Sequence, residues 1–134
     1  MRKLVLTPIA ILAASLTMPG AAALAADPPP ERIAPQRLVC ISATPEIIAR
    51  AGAKVDTAVL CRWTKSTSTA FGSYKLGRRS ETLPRTLAFA TTDANRTWFL
   101  DTRVRKGATY TYRVATFAGD GSMLAVSQPV SVTA

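Results

Sequence analysis

Few residues of the chain have side chains that could carry out a reaction. Histidine is absent, which removes His-based triads, His general bases and His metal ligands. Two cysteines without histidines do not complete a tetrahedral zinc site. Residue counting leaves a Ser–Lys pair open, but no S-x-x-K motif lies in a predicted helix. We therefore predict a protein that is not an enzyme, with no cofactor and no metal. The eight acidic residues are scattered singly along the sequence: Asp27, Glu31, Glu46, Asp56, Glu81, Asp93, Asp101 and Asp120.

Residues 1–25 have the pattern of a secretory signal peptide. A basic start is followed by the apolar run Leu4–Leu16, and Ala23 and Ala25 occupy the last positions of an A-x-A cleavage site. The alternative is a retained membrane anchor, but the apolar run is shorter than the roughly 20 residues that a span requires. We expect cleavage after Ala25, no transmembrane span in the mature chain, and a secreted or periplasmic (extracytoplasmic) location.

The segment after the predicted cleavage site is rich in proline. Residues 26–34 contain the run Pro28–Pro30, which favours an extended polyproline form and cannot join the interior of a sheet. We interpret 26–34 as a linker, with a proline-rich docking motif as the alternative. Residues 35–134 then have the length of one domain. In an exported protein, two cysteines suggest one disulfide bond.

The sequence is strongly basic. It contains 17 Lys and Arg against 8 Asp and Glu, a formal net charge of +9 at pH 7, and only Arg2 and Lys3 would leave with the signal peptide. A secreted basic domain rarely meets nucleic acid, so we expect no nucleic-acid partner. An anionic polysaccharide, an anionic lipid, another envelope component or an acidic protein surface matches the charge better. The alternative is that the charge only keeps the protein soluble.

Apolar and polar residues alternate along most of residues 35–134, which predicts β-strands. One helix is also predicted, over residues 45–51. Thr44 can cap it, Pro45 suits its first position, Glu46 its first turn and Gly52 its end. The predicted strands are Arg37–Ala43, Thr57–Trp63, Tyr74–Arg78, Thr86–Ala90, Thr97–Asp101, Thr109–Val114 and Ser127–Thr133.

The segment Thr97–Val114, TWFLDTRVRKGATYTYRV, joins two of these strands through a short turn. It resembles strands E and F of a fibronectin type III domain, in which T-x-aromatic-x-D is followed by an apolar residue, a glycine and Y-x-Y-x-V. Trp63 resembles the core tryptophan of strand B, and Tyr74 with Leu76 resembles strand C. The resemblance covers about residues 35–134 and implies an all-β, two-sheet antiparallel immunoglobulin-like sandwich. Other immunoglobulin-like folds remain open, and the predicted helix departs from the plain turn usual in this family.

The resemblance also implies roles for individual residues. Tyr110 would form a tyrosine corner, its hydroxyl bonding to backbone near the Val104–Gly107 turn. Asp101 matches the family's structural aspartate. Strands A and B are antiparallel neighbours in the family, so Cys40 and Cys61 would be joined, with two buried free thiols as the alternative. The implied core contains Leu38, Val59, Trp63, Tyr74, Leu76, Phe99, Val104, Tyr110, Tyr112 and Val114.

Two surfaces are candidates for binding. Strands C and F pair in the family, so alternation would place Lys75, Arg79 and Arg113 on one solvent face, with Arg85 near its edge. This face could meet an anion, since like charges on neighbouring strands repel. The alternative is that these long side chains only cover the sheet in water.

The opposite sheet would present a more apolar patch, with Leu60, Arg62, Trp98 and Leu100 pointing outward. Trp98 could stack on a sugar or contact a partner. The alternative is that Trp98 packs under Arg62.

These features predict an exported non-catalytic binding module that contacts an extracellular or envelope polymer or protein through its sheet surface. A structural or spacer domain of a larger assembly is the first alternative. An inhibitor of an extracellular enzyme is the second. Recovery of partners from an envelope extract would separate the first two functions.

Overall fold

The computed structural model describes residues 36–134, and the predicted signal peptide and linker lie outside this range. Within this range the chain forms eight strands and one short helix. No helix in residues 36–134 is long and apolar enough to cross a membrane. The all-β prediction and the helix between the first two strands are confirmed. The elements are β1 (Leu38–Ser42), α1 (Pro45–Arg50), β2 (Val59–Trp63), β3 (Phe71–Ser80), β4 (Thr86–Thr91), β5 (Trp98–Asp101), β6 (Thr109–Ala118), β7 (Met123–Val126) and β8 (Val130–Thr133).

Sheet 1 contains β1, β2 and β5 in that spatial order, and both pairings are antiparallel. Alternate residues of β2 are buried, because one face of the strand turns toward the interior. Cys40 of β1 lies directly opposite Cys61 of β2, and a disulfide bond joins them. The predicted pairing of the two cysteines is therefore confirmed.

Sheet 2 has the spatial order β4, β3, β6, β7, and β8 also pairs with β6. The two central strands, β3 and β6, have 10 residues each. The predicted last strand at Ser127–Thr133 is shorter than expected, and β7 precedes it. Pro129 has no N–H for a ladder, so β7 and β8 are separate strands. Ser127 spans part of the gap, where its Oγ accepts a hydrogen bond of 3.0 Å from the Val114 N–H.

The main core lies between the two sheets. Trp63 of sheet 1 packs edge-on against Tyr74 of sheet 2, with ring centroids 5.7 Å apart. All ten predicted core residues belong to this cluster, eight of them buried and Phe99 and Val104 partly buried. The Tyr110 hydroxyl accepts a hydrogen bond of 2.8 Å from the Arg105 N–H, which confirms the predicted contact with the preceding turn.

Helix α1 covers part of the outer face of sheet 1. The Thr44 hydroxyl caps it by accepting from the Ile47 N–H. Ile48 packs with Ala58 and Leu100 in a second small core, to which half-buried Leu60 is added. The prediction of an open apolar patch at Leu60 and Leu100 is therefore wrong, since the β1–β2 connection folds over both residues.

Candidate anion-binding face

On sheet 2, the two central strands present cations on the face that points away from the core. In β3, Lys75 and Arg79 are exposed, while Tyr74 and Leu76 are fully buried. In β6, Arg113 stands between two fully buried residues. The structure therefore brings Lys75, Arg79 and Arg113 to the same side of the sheet, as the alternation predicted. With Arg85 they are called the basic face below, and their role in binding stays a prediction.

A glycine lies at the centre of the basic face. Arg113 lies directly opposite Gly77 across the β3–β6 ladder. Arg85 extends over Gly77, and a Cβ placed at Gly77 would make an ordinary contact with Arg85 Cδ, at 3.7 Å. Arg79, Arg85 and Arg113 line a small cavity of about 80 Å³ together with Thr111, whose hydroxyl is hydrogen-bonded to that of Ser131. This cavity is called the arginine pocket.

A wider groove adjoins the arginine pocket on the same face. Its volume is about 320 Å³, and it shares Gly77 and two arginines with the pocket. Its walls contain Leu87, Met123 and Val126, which are 61%, 57% and 43% exposed. Leu87 lies directly opposite Gly77 on the β4 side, so the two cavities meet at one row of the sheet. This second cavity is called the apolar groove.

Both cavities lack negative charge. No acidic residue of 36–134 lines either of them, and none pairs with the four cations of the basic face. The buried Nε of Arg113 has no hydrogen-bond partner in the described part of the chain. Lys75 Nζ lies 4.8 Å from the centroid of the Phe117 ring, an arrangement that favours a cation. An anion would relieve the repulsion between these neighbouring positive charges.

The inner face of the same two strands holds a different basic residue. Arg78 Nη1 donates to both carboxylate oxygens of Asp101, at 2.8 and 3.0 Å, and to the Arg103 carbonyl. The Tyr112 hydroxyl donates to Asp101 Oδ2 at 2.7 Å, and the Arg103 N–H donates to Oδ1. Burial, reinforced by the bond to Asp101, raises the pKa of Tyr112 well above its ordinary value. We call Arg78, Asp101 and Tyr112 the inner network.

Sequence reasoning identified Asp101 as structural but missed its partner Arg78. The alternation along β3 could have identified Arg78 as inward-facing, because it lies two residues after Leu76 and four after Tyr74, which are both buried. A carboxylate on the other sheet allows this arginine to face the core.

Trp98 lies on sheet 1, away from the basic face. It is 41% exposed, and Arg96 covers its ring, with the guanidinium carbon 4.3 Å from the ring centroid. Arg96 Nε also donates to the Trp98 carbonyl at 2.8 Å. The alternative had predicted that Trp98 packs under Arg62, which lies opposite it in the sheet. The residue that stacks on the ring is instead Arg96. A sugar could stack on this side of the ring only after Arg96 moves.

The donors and charges of the basic face are suited to holding an anion. Among residues 36–134, no group of three or more His, Cys, Asp or Glu side chains could hold a metal ion. The buried carboxylate of Asp101 is already engaged by three donors. The basic face offers an anion a positively charged surface with two cavities.

Comparison with known proteins gives a fold likeness. No protein-family model and no curated protein matches the chain. Pectate lyase PelI from Erwinia chrysanthemi, solved in complex with tetragalacturonic acid, is similar over 73% of this chain and 28% of that chain, with 17% identity and a TM-score of 0.52. A second PelI structure covers 73% and 27%, with 19% identity and a TM-score of 0.51. The chain thus spans little more than a quarter of those enzymes, and at this identity the likeness concerns the fold alone.

The class that fold and site define is an all-β protein of two antiparallel sheets, packed as a sandwich around a disulfide-linked core.

Proposed function

We propose that this protein is an exported, non-catalytic binding module that contacts an anionic extracellular or envelope polymer through the basic face. The observation that supports it is the gathering of Lys75, Arg79, Arg85 and Arg113 on one face, where no acid of the described chain accompanies them. Positive potential of this kind attracts polyanions and accelerates their encounter.

We further propose that the scaffold is a fibronectin type III-like sandwich. The pairing of β1 with β2 and of β3 with β6 agrees with the A–B and C–F pairings of that family. The contact between Tyr110 and the Arg105 backbone also agrees with a tyrosine corner. Because one fold serves many functions, this class supports a binding role only together with the site.

Polygalacturonate is a suitable first probe. Tetragalacturonic acid, the molecule in the PelI complex, is an oligosaccharide with a carboxylate on each sugar. The likeness to PelI carries no activity to this chain, but an acidic sugar chain has the repeated negative charge that the basic face requires.

The direct experiment compares two charge-reversed variants. The first changes Lys75, Arg79 and Arg113 to Glu. The second changes Lys54, Arg62 and Lys65, which are exposed and lie elsewhere on the protein, so that both lose the same net charge. We expect the first variant to lose polygalacturonate binding and the second to retain most of it. Binding by the parent should weaken steeply with added salt, since the Debye length falls to about 8 Å near physiological ionic strength.

The proposal fails if both variants bind as the parent does, or if both lose binding equally. The second result would show that net charge and not this face is responsible. Circular dichroism of the three proteins would show that the fold is unchanged.

A structural or spacer domain is the second candidate function. It is favoured by the observation that the similar fold occurs as part of a longer chain in PelI. Affinity purification from an envelope extract separates the two candidates. Recovery of the subunits of one assembly, with no salt-dependent polymer binding, would support the spacer function.

A further inference from the structure

The apolar groove places exposed aliphatic side chains next to several cations. Its side chains Leu87, Met123 and Val126 are 61%, 57% and 43% exposed. Gly77 and Ala115 form a low floor between them. The arginine pocket opens at one end of this floor, so one molecule could contact both cavities.

We propose that the basic face also binds an anionic phospholipid at a membrane surface. The proposal rests on the basic face being the binding surface of the proposed function, and it adds a lipid of the envelope to the anionic polymers named there. The phosphate group would lie in the arginine pocket, where Arg79, Arg85 and Arg113 surround it. The upper part of the acyl chains would contact Leu87, Met123 and Val126 along the apolar groove.

The size of the arginine pocket agrees with this assignment. Its volume of about 80 Å³ suits a compact anionic group such as a tetrahedral phosphate. Arginine forms paired hydrogen bonds to phosphate oxygens. Three arginines around one small cavity match a phosphate better than dispersed carboxylates.

The wall composition favours a lipid over a sugar chain or a protein. Sugar platforms use exposed aromatic rings, whereas the ring at this face, Phe117, is half-buried beneath Lys75. Protein interfaces are enriched in Tyr and Trp, and neither stands exposed in this groove. Aliphatic side chains bordered by Lys and Arg are typical of surfaces that lie at the headgroup boundary of a membrane.

The test uses the purified protein and two sets of vesicles, one of phosphatidylcholine alone and one mixed with phosphatidylglycerol. A first variant changes Leu87 and Met123 to Ser and keeps every cation. A matched control changes Val39 and Ile41 to Ser, which are comparably exposed on sheet 1. We expect the parent and the control to bind the mixed vesicles. We expect the affinity of the L87S/M123S variant for these vesicles to be lower than that of the parent by a factor of about ten or more.

A parallel titration with polygalacturonate separates this inference from the proposed function. L87S/M123S should bind polygalacturonate as the parent does, because that contact depends on charge. If the parent binds polygalacturonate and does not bind the mixed vesicles, or if L87S/M123S binds those vesicles at full strength, the lipid inference is overturned and the proposed function stands. If the parent binds neither probe, the proposed function fails with it.

Discussion

Arg78 and Arg79 are neighbours in the sequence and lie on opposite faces of sheet 2. Arg78 turns inward and is paired with Asp101, whereas Arg79 turns outward to the arginine pocket. The same division holds on β6, where Tyr112 is fully buried and Arg113 is partly exposed. The inner network joins the two sheets, and the basic face leaves its charges unmatched. Alternation along a strand thus separates residues that hold the fold from residues available to a ligand.

The largest effect is expected when the inner network is broken at its acid. Asp101→Ala leaves Arg78, whose side chain is 14% exposed, without its partner and removes the acceptor of Tyr112. We expect a loss of about 3 kcal/mol or more in the free energy of unfolding, measured by urea denaturation. Asp56→Ala, at an exposed position, is the control and should change it by less than about 0.5 kcal/mol. Equal losses would remove the distinction between inner and outer charges.

Reduction of the disulfide tests whether sheet 1 is as important to stability as the inner network. Joining Cys40 to Cys61 closes a loop with a sequence separation of 21, which is worth about 3 kcal/mol in the chain-entropy model. The double variant to Ala should be destabilised by about this amount in the absence of reductant, and dithiothreitol should affect only the parent. Alkylation of two thiols in the unreduced protein, detected by mass spectrometry, would contradict the bond.

Tyr112→Phe keeps the ring and removes its hydrogen bond to Asp101. At neutral pH we expect a loss of about 2 kcal/mol, since the acceptor is charged. The raised pKa of Tyr112 means that the folded state holds the proton more tightly than the unfolded state, whose tyrosine ionises near 10.0. Parental stability should therefore fall above pH 10 by up to about 1.4 kcal/mol per pH unit from this group. The gap between parent and variant should narrow there; a constant gap up to pH 11 would contradict the assignment.

Tyr110→Phe removes a single hydrogen bond, the one from the Arg105 N–H. We expect a smaller loss, about 1 kcal/mol. Thermal unfolding followed by circular dichroism measures it. An unchanged midpoint would show that the corner contributes nothing to stability.

The smallest effect on stability is expected on the basic face. Arg79→Glu should change the free energy of unfolding by less than about 0.5 kcal/mol, while Arg78→Glu, one residue earlier, should destabilise the protein severely by placing two acids together. The pair is a direct test of the comparison, because the substitutions are identical in chemistry and adjacent in sequence. Similar losses at both positions would refute it.

Most of the fold could be predicted from the alternation of apolar and polar residues along the strands. Alternation around Trp63, Tyr74 and Tyr112 determines which residues face the core, and the cap at Thr44 determines where the helix begins. What it could not predict depends on contacts between distant segments. The covering of Leu100 by Ile48 requires knowing how the β1–β2 connection folds back over the sheet.

The candidate site was predictable to a similar extent. Lys75, Arg79 and Arg113 followed from parity on two strands, because parity is a local property. The apolar groove was not predictable, because Leu87 and Met123 come from strands on opposite sides of β3 and β6. Their approach to Gly77 depends on the register of three ladders at once.

The position of β4 at the edge of sheet 2 has a consequence for aggregation. Its six residues, TLAFAT, contain no charge and no proline, and the backbone groups on its outer side have no partner strand within residues 36–134. Such an edge is a template for pairing with another chain. Pro84 and Arg85 immediately precede it, and residues of this kind act as gatekeepers against fibril growth. Arg85 would then help to keep the protein dispersed in addition to adding positive charge to the basic face, so replacing it should lower solubility.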